Sequence, residues 1–351
     1  MRKVVLYIVC IVLGLQSCIR EDLSDCLYGL RIRVVYLLPY GDDATSAPDV
    51  QHVKVYVFDE QGILCTVAEK KGDCLSADSW MDIDLAPGMY KVLVWGSNAA
   101  DLGSSYRIDA TIGKTTLTEL QLSLRGKFNK RVTEFTPDEL HFSDLYYGAA
   151  GTRVSSTSEY IMKEVTVLSG MVTEETVELI RDTHHLKVTI DGFRNLVPGW
   201  TEAKTDIEVY ATGKSESYQW DNSYISHSYP VKYSPYRQKT EEGRYLLDIE
   251  TQRVRLDMAN EKPLMLYVYD KLQQKAIYEL DVLEQLLKAH DDSGNYFFSN
   301  QEDLDKAYTY NIRLQVGSNL SITIFINDWE ITKIYPVDPR LWTDWSCQTQ
   351  E

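Results

Sequence analysis

Alternation of apolar and polar residues, repeated along most of the chain, is the feature that most restricts how this sequence can fold. Residues 30–36 place Leu30, Ile32 and Val34 on one side, and residues 53–58 do the same with Val53, Val55 and Val57. A period of two marks a half-buried strand, because successive side chains leave a pleated backbone on opposite faces. The pattern returns at 177–190, 207–211, 264–269, 310–316 and 320–326. A count of 24 Tyr fits the same reading, since aromatic side chains pack well on pleated surfaces. Pro87-Gly88 suits a type II turn, and it predicts a hairpin in which Ile83 and Leu85 lead in and Tyr90, Val92 and Val94 lead out. Only residues 279–290 carry helical spacing, with Leu280, Leu283 and Leu287 on one face. The expected fold class is therefore all-β, with two sandwich domains in tandem. Residues 27–175 form the first domain, 176–335 the second, and 336–351 a tail.

The amino-terminal end does not belong to either domain. Arg2 and Lys3 precede an apolar run over residues 4–15, the layout of an export signal, here residues 1–17. A bilayer-spanning helix needs about 20 apolar residues, so this run is too short to be one. Leu15-Gln16-Ser17-Cys18 resembles the lipobox of bacterial lipoproteins, in which the cysteine is acylated and becomes the first residue after cleavage. Cys18 is thus the expected lipidation site and residues 18–26 the lipidated tether. Cleavage leaves 334 of the 351 residues and takes the formal charge from −16 to −18, because Arg2 and Lys3 depart. A chain this acidic lacks the basic face that nucleic-acid binding requires. Arg20, Glu21, Asp22 and Asp25 form a short, mainly acidic stretch that resembles the surface-export signal of Bacteroidetes lipoproteins, and the resemblance implies an outer-membrane protein that faces outward.

Chemistry-bearing motifs are sparse. With Cys10 in the signal and Cys18 assigned to lipid, Cys26, Cys65, Cys74 and Cys347 remain, and their pairing is open. Cys65 and Cys74 flank the turn-like Lys70-Lys71-Gly72-Asp73, so a disulfide between them would staple a hairpin. His184 and His185 are neighbours in an expected strand and point to opposite faces, which argues against a shared metal ion. No nucleophile elbow, metal-binding helix, phosphate loop or dinucleotide fingerprint occurs, so neither catalysis nor a metal or cofactor is expected. Tyr218, Trp220, Tyr224, Tyr229, Tyr233 and Tyr236 make a dense aromatic segment, which offers packing residues or a contact surface for glycans or a host protein.

Taken in order, several motifs resemble the FimB-type (Mfa-family) fimbrial anchor lipoproteins of Bacteroidetes. They are Cys18-Ile-Arg-Glu-Asp-Leu-Ser-Asp-Cys26, Leu30-Arg-Ile-Arg-Val-Val-Tyr36, Val55-Tyr-Val-Phe-Asp-Glu-Gln-Gly62, Leu85-Ala-Pro-Gly-Met-Tyr90, Asp144-Leu-Tyr-Tyr-Gly148 and Ile324-Phe-Ile-Asn-Asp-Trp329. The resemblance implies two transthyretin-like sandwiches and a place at the base of a fimbria, with the shaft subunits and the outer membrane as partners. It further implies that residues 30–36 are a retained first strand, so that Leu30, Ile32 and Val34 occupy a groove that a polymerising subunit would leave open. Tyr218, Trp220, Tyr224 and Trp329 are the candidate contact residues outside that strand. A surface lipoprotein that binds glycans or host proteins through residues 218–236 is the alternative.

Overall fold

A computed structural model describes residues 29–36 and 49–334, except 77, 132, 155, 158, 198–205 and 226–228. Cys18, Cys26, Cys347 and the tail 336–351 lie outside the described residues. The first strands are β1 (Gly29–Val35), β2 (His52–Phe58), β3 (Leu64–Lys71), β4 (Trp80–Ile83) and β5 (Gly88–Ser97). Next come β6 (Tyr106–Ile108), β7 (Gln121–Leu124), β8 (Gly126–Asn129), β9 (Glu134–Pro137) and β10 (Leu145–Ala149). The first half closes with β11 (Gly151–Val154), β12 (Glu159–Met162), β13 (Val165–Val167), β14 (Val172–Glu178) and β15 (Ile180–Arg181). The second half holds β16 (Thr183–Asp191), the short helix α1 (Phe193–Leu196), β17 (Ile207–Gly213), β18 (Ser217–Gln219), β19 (Val231–Tyr233), β20 (Arg237–Glu241) and β21 (Arg244–Gln252). After these run β22 (Leu264–Asp270), β23 (Lys275–Asp281), α2 (Val282–Lys288), α3 (Gln301–Lys306), β24 (Thr309–Val316), β25 (Ile322–Ile326) and β26 (Trp329–Ile334). The fold is all-β, with a sandwich in each half.

In the first sandwich the sheet β14-β1-β4 faces the sheet β15-β10-β5-β2-β3. Leu30, Ile32 and Val34 meet Val53, Val55, Val57, Val92 and Val94 in its core, each at most 1% exposed. The larger sheet is buried on its other face as well: Tyr56, Phe58, Leu93, Trp95 and Tyr147 belong to a separate core that continues into the second half. Burial on both faces explains why Val92-Leu93-Val94-Trp95 reads as an unbroken apolar run. The second sandwich pairs β20-β21-β16-β24-β25-β26 with β23-β22-β17-β19-β9-β8. Leu186, Val188 and Ile190 of β16, with Tyr310, Ile312 and Leu314 of β24, fill its centre.

Three sequence expectations change. Pro87-Gly88 does not close a hairpin: β4 pairs with β1, whereas β5 pairs with β2 and β10, so the turn carries the chain from one sheet to the other. Ile83, Leu85, Tyr90, Val92 and Val94 nevertheless share one core. Alternation assigns a side chain to a face but does not say which backbone its strand bonds to. Cys65 and Cys74 are free thiols. Both Lys70 and Lys71 continue β3, so the strand from Cys65 to Lys71 spans about 20 Å, against the roughly 7 Å between Cα atoms that a disulfide tolerates. Cys65 Sγ instead donates to the Val57 carbonyl at 3.1 Å and Cys74 Sγ to the Gly72 carbonyl at 3.2 Å, and burial pushes the Cys74 thiol up to about 11. Finally, β14 runs through the expected 175/176 division and β15 still pairs with β10, so the first sandwich continues to Arg181.

The two halves also exchange strands. From the first half, β8 and β9 extend the second sandwich's sheet beside β19, while β18 of the second half pairs with β7 in the three-stranded sheet β18-β7-β6. Neither half is therefore complete by itself, and their junction is part of the core.

Candidate functional site

The strand β1 is the centre of the first candidate site. It lies parallel to β14 through seven residue pairs and antiparallel to β4 through four, so both of its edges are bonded. Its inward residues Leu30, Ile32 and Val34 are 1%, 0% and 1% exposed. Each fully buried aliphatic side chain of this size contributes roughly 1.5–3 kcal/mol. Outside, Arg31 reaches Asp82 at 2.7 Å and Glu174 at 3.5 Å, one residue on each neighbouring strand, and Arg33 lies 5.0 Å over the Trp80 ring. Gly29 sets the entry: its φ is +140°, and a Cβ there would stand 2.4 Å from the Ile83 carbonyl oxygen. Leu30, Ile32 and Val34 are thus a filled groove within the chain and not an exposed contact surface.

The aromatic segment is placed differently from the contact surface considered above. Tyr218 is 0% exposed and donates its hydroxyl to the Asp182 carbonyl at 3.2 Å. Trp220 is half-buried, and its carbonyl accepts from the Tyr147 hydroxyl at 3.0 Å, a bond between the halves. Tyr224, also half-buried, packs on Tyr218 at 5.2 Å between centroids and bonds the Arg253 carbonyl. Tyr233 is 2% exposed and donates to Gln252 at 3.0 Å. Tyr218, Trp220 and Tyr224 thus pack inside the chain, and the β18 segment that carries Tyr218 meets the first half through β7 and through the Tyr147–Trp220 bond. Of the segment, Tyr229 is 40% exposed, its ring tilted against Phe128 of β8.

Beside them lies a buried polar network that no sequence motif announces. Arg253 is 3% exposed at its side chain and makes two bonds to Asp305, at 2.8 and 2.7 Å, with Asp182 at 3.8 Å. Gln301 donates to Asp305 at 2.9 Å, and Asn222 donates to Asp182 at 2.8 Å. Burial pushes the Asp182 carboxyl up to about 7 against the pull of Arg253. His184, fully buried, donates Nδ1–H to the Ala307 carbonyl at 2.9 Å, and burial lowers its pKa to about 4, so the ring is neutral. His185 faces the other way, as alternation requires.

Among the described residues β26 bonds only to β25 and forms a free sheet edge. Trp329 opens that strand, 36% exposed, with its ring 5.9 Å from Phe297. No helix among the described residues is long and apolar enough to cross a membrane.

A filled first-strand groove in a two-sandwich chain can be compared with known proteins. The fimbrillin-A associated anchor proteins Mfa1 and Mfa2 match this sequence as a family over residues 23–335. The chain belongs to the Mfa2 family. Among solved structures, the fimbrial anchor protein Mfa2 of Porphyromonas gingivalis is 18% identical with a TM-score of 0.61, over 87% of this chain and 99% of that one. A candidate polysaccharide binding protein of Bacteroides thetaiotaomicron is 22% identical with a TM-score of 0.65, over 89% and 98%. A candidate adhesin of Bacteroides ovatus is 21% identical with a TM-score of 0.64, over 88% and 96%. At these identities the likeness is one of fold. No curated protein matches the sequence. Membership in the Mfa2 family makes this a fimbria-associated surface protein.

Proposed function

We propose that this chain is an outer-membrane lipoprotein at the base of a fimbria, held by acyl chains on Cys18, and that it ends the polymer because β1 fills its own groove. The observation that carries this reading is the position of β1, bonded on both edges and buried on its inner face. Subunits that join by β-strand addition need an open groove to accept a neighbour's strand, since main-chain hydrogen bonds supply the affinity. A groove already occupied from within accepts none. Acylation of Cys18 would hold the protein stably, as each buried CH₂ contributes about 0.8 kcal/mol and more than one chain is attached. The surface assigned to the first shaft subunit in this reading is the free β26 edge, where Trp329 is 36% exposed. Pro336 and Pro339 make the tail beyond it a poor strand donor.

No catalytic role is part of this reading, and the alternative through the aromatic segment is weakened because its main rings are buried within the chain. Deletion of the gene followed by electron microscopy tests the proposal. Long fimbriae shed into the medium are expected, and fimbriae of unchanged length that stay attached would overturn it.

A further inference from the structure

A second polar cluster lies at the junction of the two halves, apart from Arg253. His185 of β16 stands directly opposite Glu250 of β21 in the strand register, so both side chains leave the same face of the sheet. Asp144, just before β10, reaches the same point from the first half. One donor atom from each of Asp144, His185 and Glu250 lies within 4.8 Å of the others. The His185 Nε2 and Glu250 Oε1 atoms are 3.2 Å apart, and His141 brings its Nδ1 to 2.6 Å from Glu250 Oε2.

Asp144 Oδ2 accepts from Asn98 Nδ2 at 3.2 Å and His185 Nε2 stands 2.6 Å from the Tyr308 hydroxyl, so what is left unmatched at this point is the charge and one oxygen of Glu250. Glu250 is 1% exposed and Asp144 5%, yet the fixed cation near them is Arg181, whose Nε is 4.0 Å from Asp144 and whose guanidinium lies 3.8 Å over the Tyr308 ring. Glu250 Oε2 is buried without a hydrogen bond, although the His141 nitrogen is close to it. A nearly fully buried carboxylate oxygen met only by an imidazole nitrogen is costly unless that ring is protonated or a metal cation supplies the missing charge. Asp144 is already oriented, with Oδ1 accepting from the Thr183 hydroxyl at 2.8 Å and its backbone N–H bonded to Asn98 Oδ1 at 2.8 Å.

We infer that Asp144, His185 and Glu250, with His141 as a fourth donor, form a site for a divalent zinc-class ion that fastens the two halves together. Mixed imidazole and carboxylate donors suit zinc, and ligands held about 2.0–2.1 Å from one tetrahedral ion stand roughly 3.3 Å from each other. The His185–Glu250 separation already meets that spacing. The His141 side chain, 62% exposed, can turn toward the ion, and Asp144 Oδ2 would exchange its longer bonds from Asn98 at 3.2 Å and Tyr308 at 3.5 Å for it.

The test is metal content and thermal stability of the full mature chain, dialysed after incubation with zinc. One equivalent retained per chain is expected, with a raised melting temperature. Glu250→Gln and His185→Gln should each weaken zinc binding at least about 10-fold, the scale typical when a ligand or its support is lost, while the exposed His290→Gln should change nothing. Failure of the wild-type chain to retain an equivalent of zinc overturns the proposal without reference to how the variants fold. Equal retention in both variants and wild type overturns it as well.

Discussion

Ile32→Asp opens the groove that β1 fills. Ile32 is 0% exposed and sits opposite Glu175 on β14 and Met81 on β4. A carboxylate placed there has no cation on the inner face, where the neighbours are valines, leucines and other apolar residues. Burying it uncompensated costs about 4 kcal/mol or more, the range reserved for unpaired polar groups in a core. The strand can escape that cost by leaving, at the expense of its bonds to β14 on one edge and to β4 on the other. The expected result is loss of amide-exchange protection in β14 and β4 while the second sandwich stays protected. A synthetic peptide carrying residues 29–36 should then bind the variant and not the wild-type chain. Arg31→Ala is the control: its ion pairs with Asp82 and Glu174 are solvent-exposed, and it should change stability little. A folded Ile32→Asp chain that ignores the peptide would mean that β1 is not a removable filler.

Arg253→Met is expected to destabilise the junction by roughly 3–5 kcal/mol, because it strips the counter-charge from two buried carboxylates. Asp305 would lose both bonds from the guanidinium, and Asp182 its ion pair at 3.8 Å. Adding Asp305→Leu should recover much of the loss, since replacing a buried pair with apolar side chains is often neutral. Asp182 tolerates the change because burial already lifts its carboxyl to about 7, within reach of protonation. Urea midpoints of the single and double variants measure this directly. A single variant within about 1 kcal/mol of wild type would show that the pair does not hold the junction.

Much of the strand layout is readable from period-two alternation. Leu30, Ile32 and Val34, or Val53, Val55 and Val57, announce a strand and its inward face together. What alternation cannot convey is pairing, which is why the Pro87-Gly88 turn reads as a hairpin although it bridges two sheets. The exchange of β8, β9 and β18 is hidden for a related reason. β8 is short and mostly exposed, and it joins the second sandwich only through its neighbour β9, which pairs with β19 of the other half. The aromatic segment is conspicuous as a cluster, but the same rings suit an outer surface or an inner one, and only the arrival of Tyr147 and Asp182 from elsewhere decides for the inner. His141, Asp144, His185 and Glu250 are scattered with no motif spacing, and the register of β16 on β21 is what brings two of them face to face. Helical spacing over 279–290 places α2, with Asp281 capping it through the Glu284 N–H at 3.1 Å, although Leu280 proves to be the penultimate residue of β23. The helix α3 is too short for a period to show.

The central claim is that this Mfa2-family chain holds a fimbria to the cell through its first mature residue. Fractionation of cells carrying Cys18→Ala tests it most directly. The account predicts the protein and the fimbriae together in the medium; both remaining in the outer-membrane fraction would contradict it.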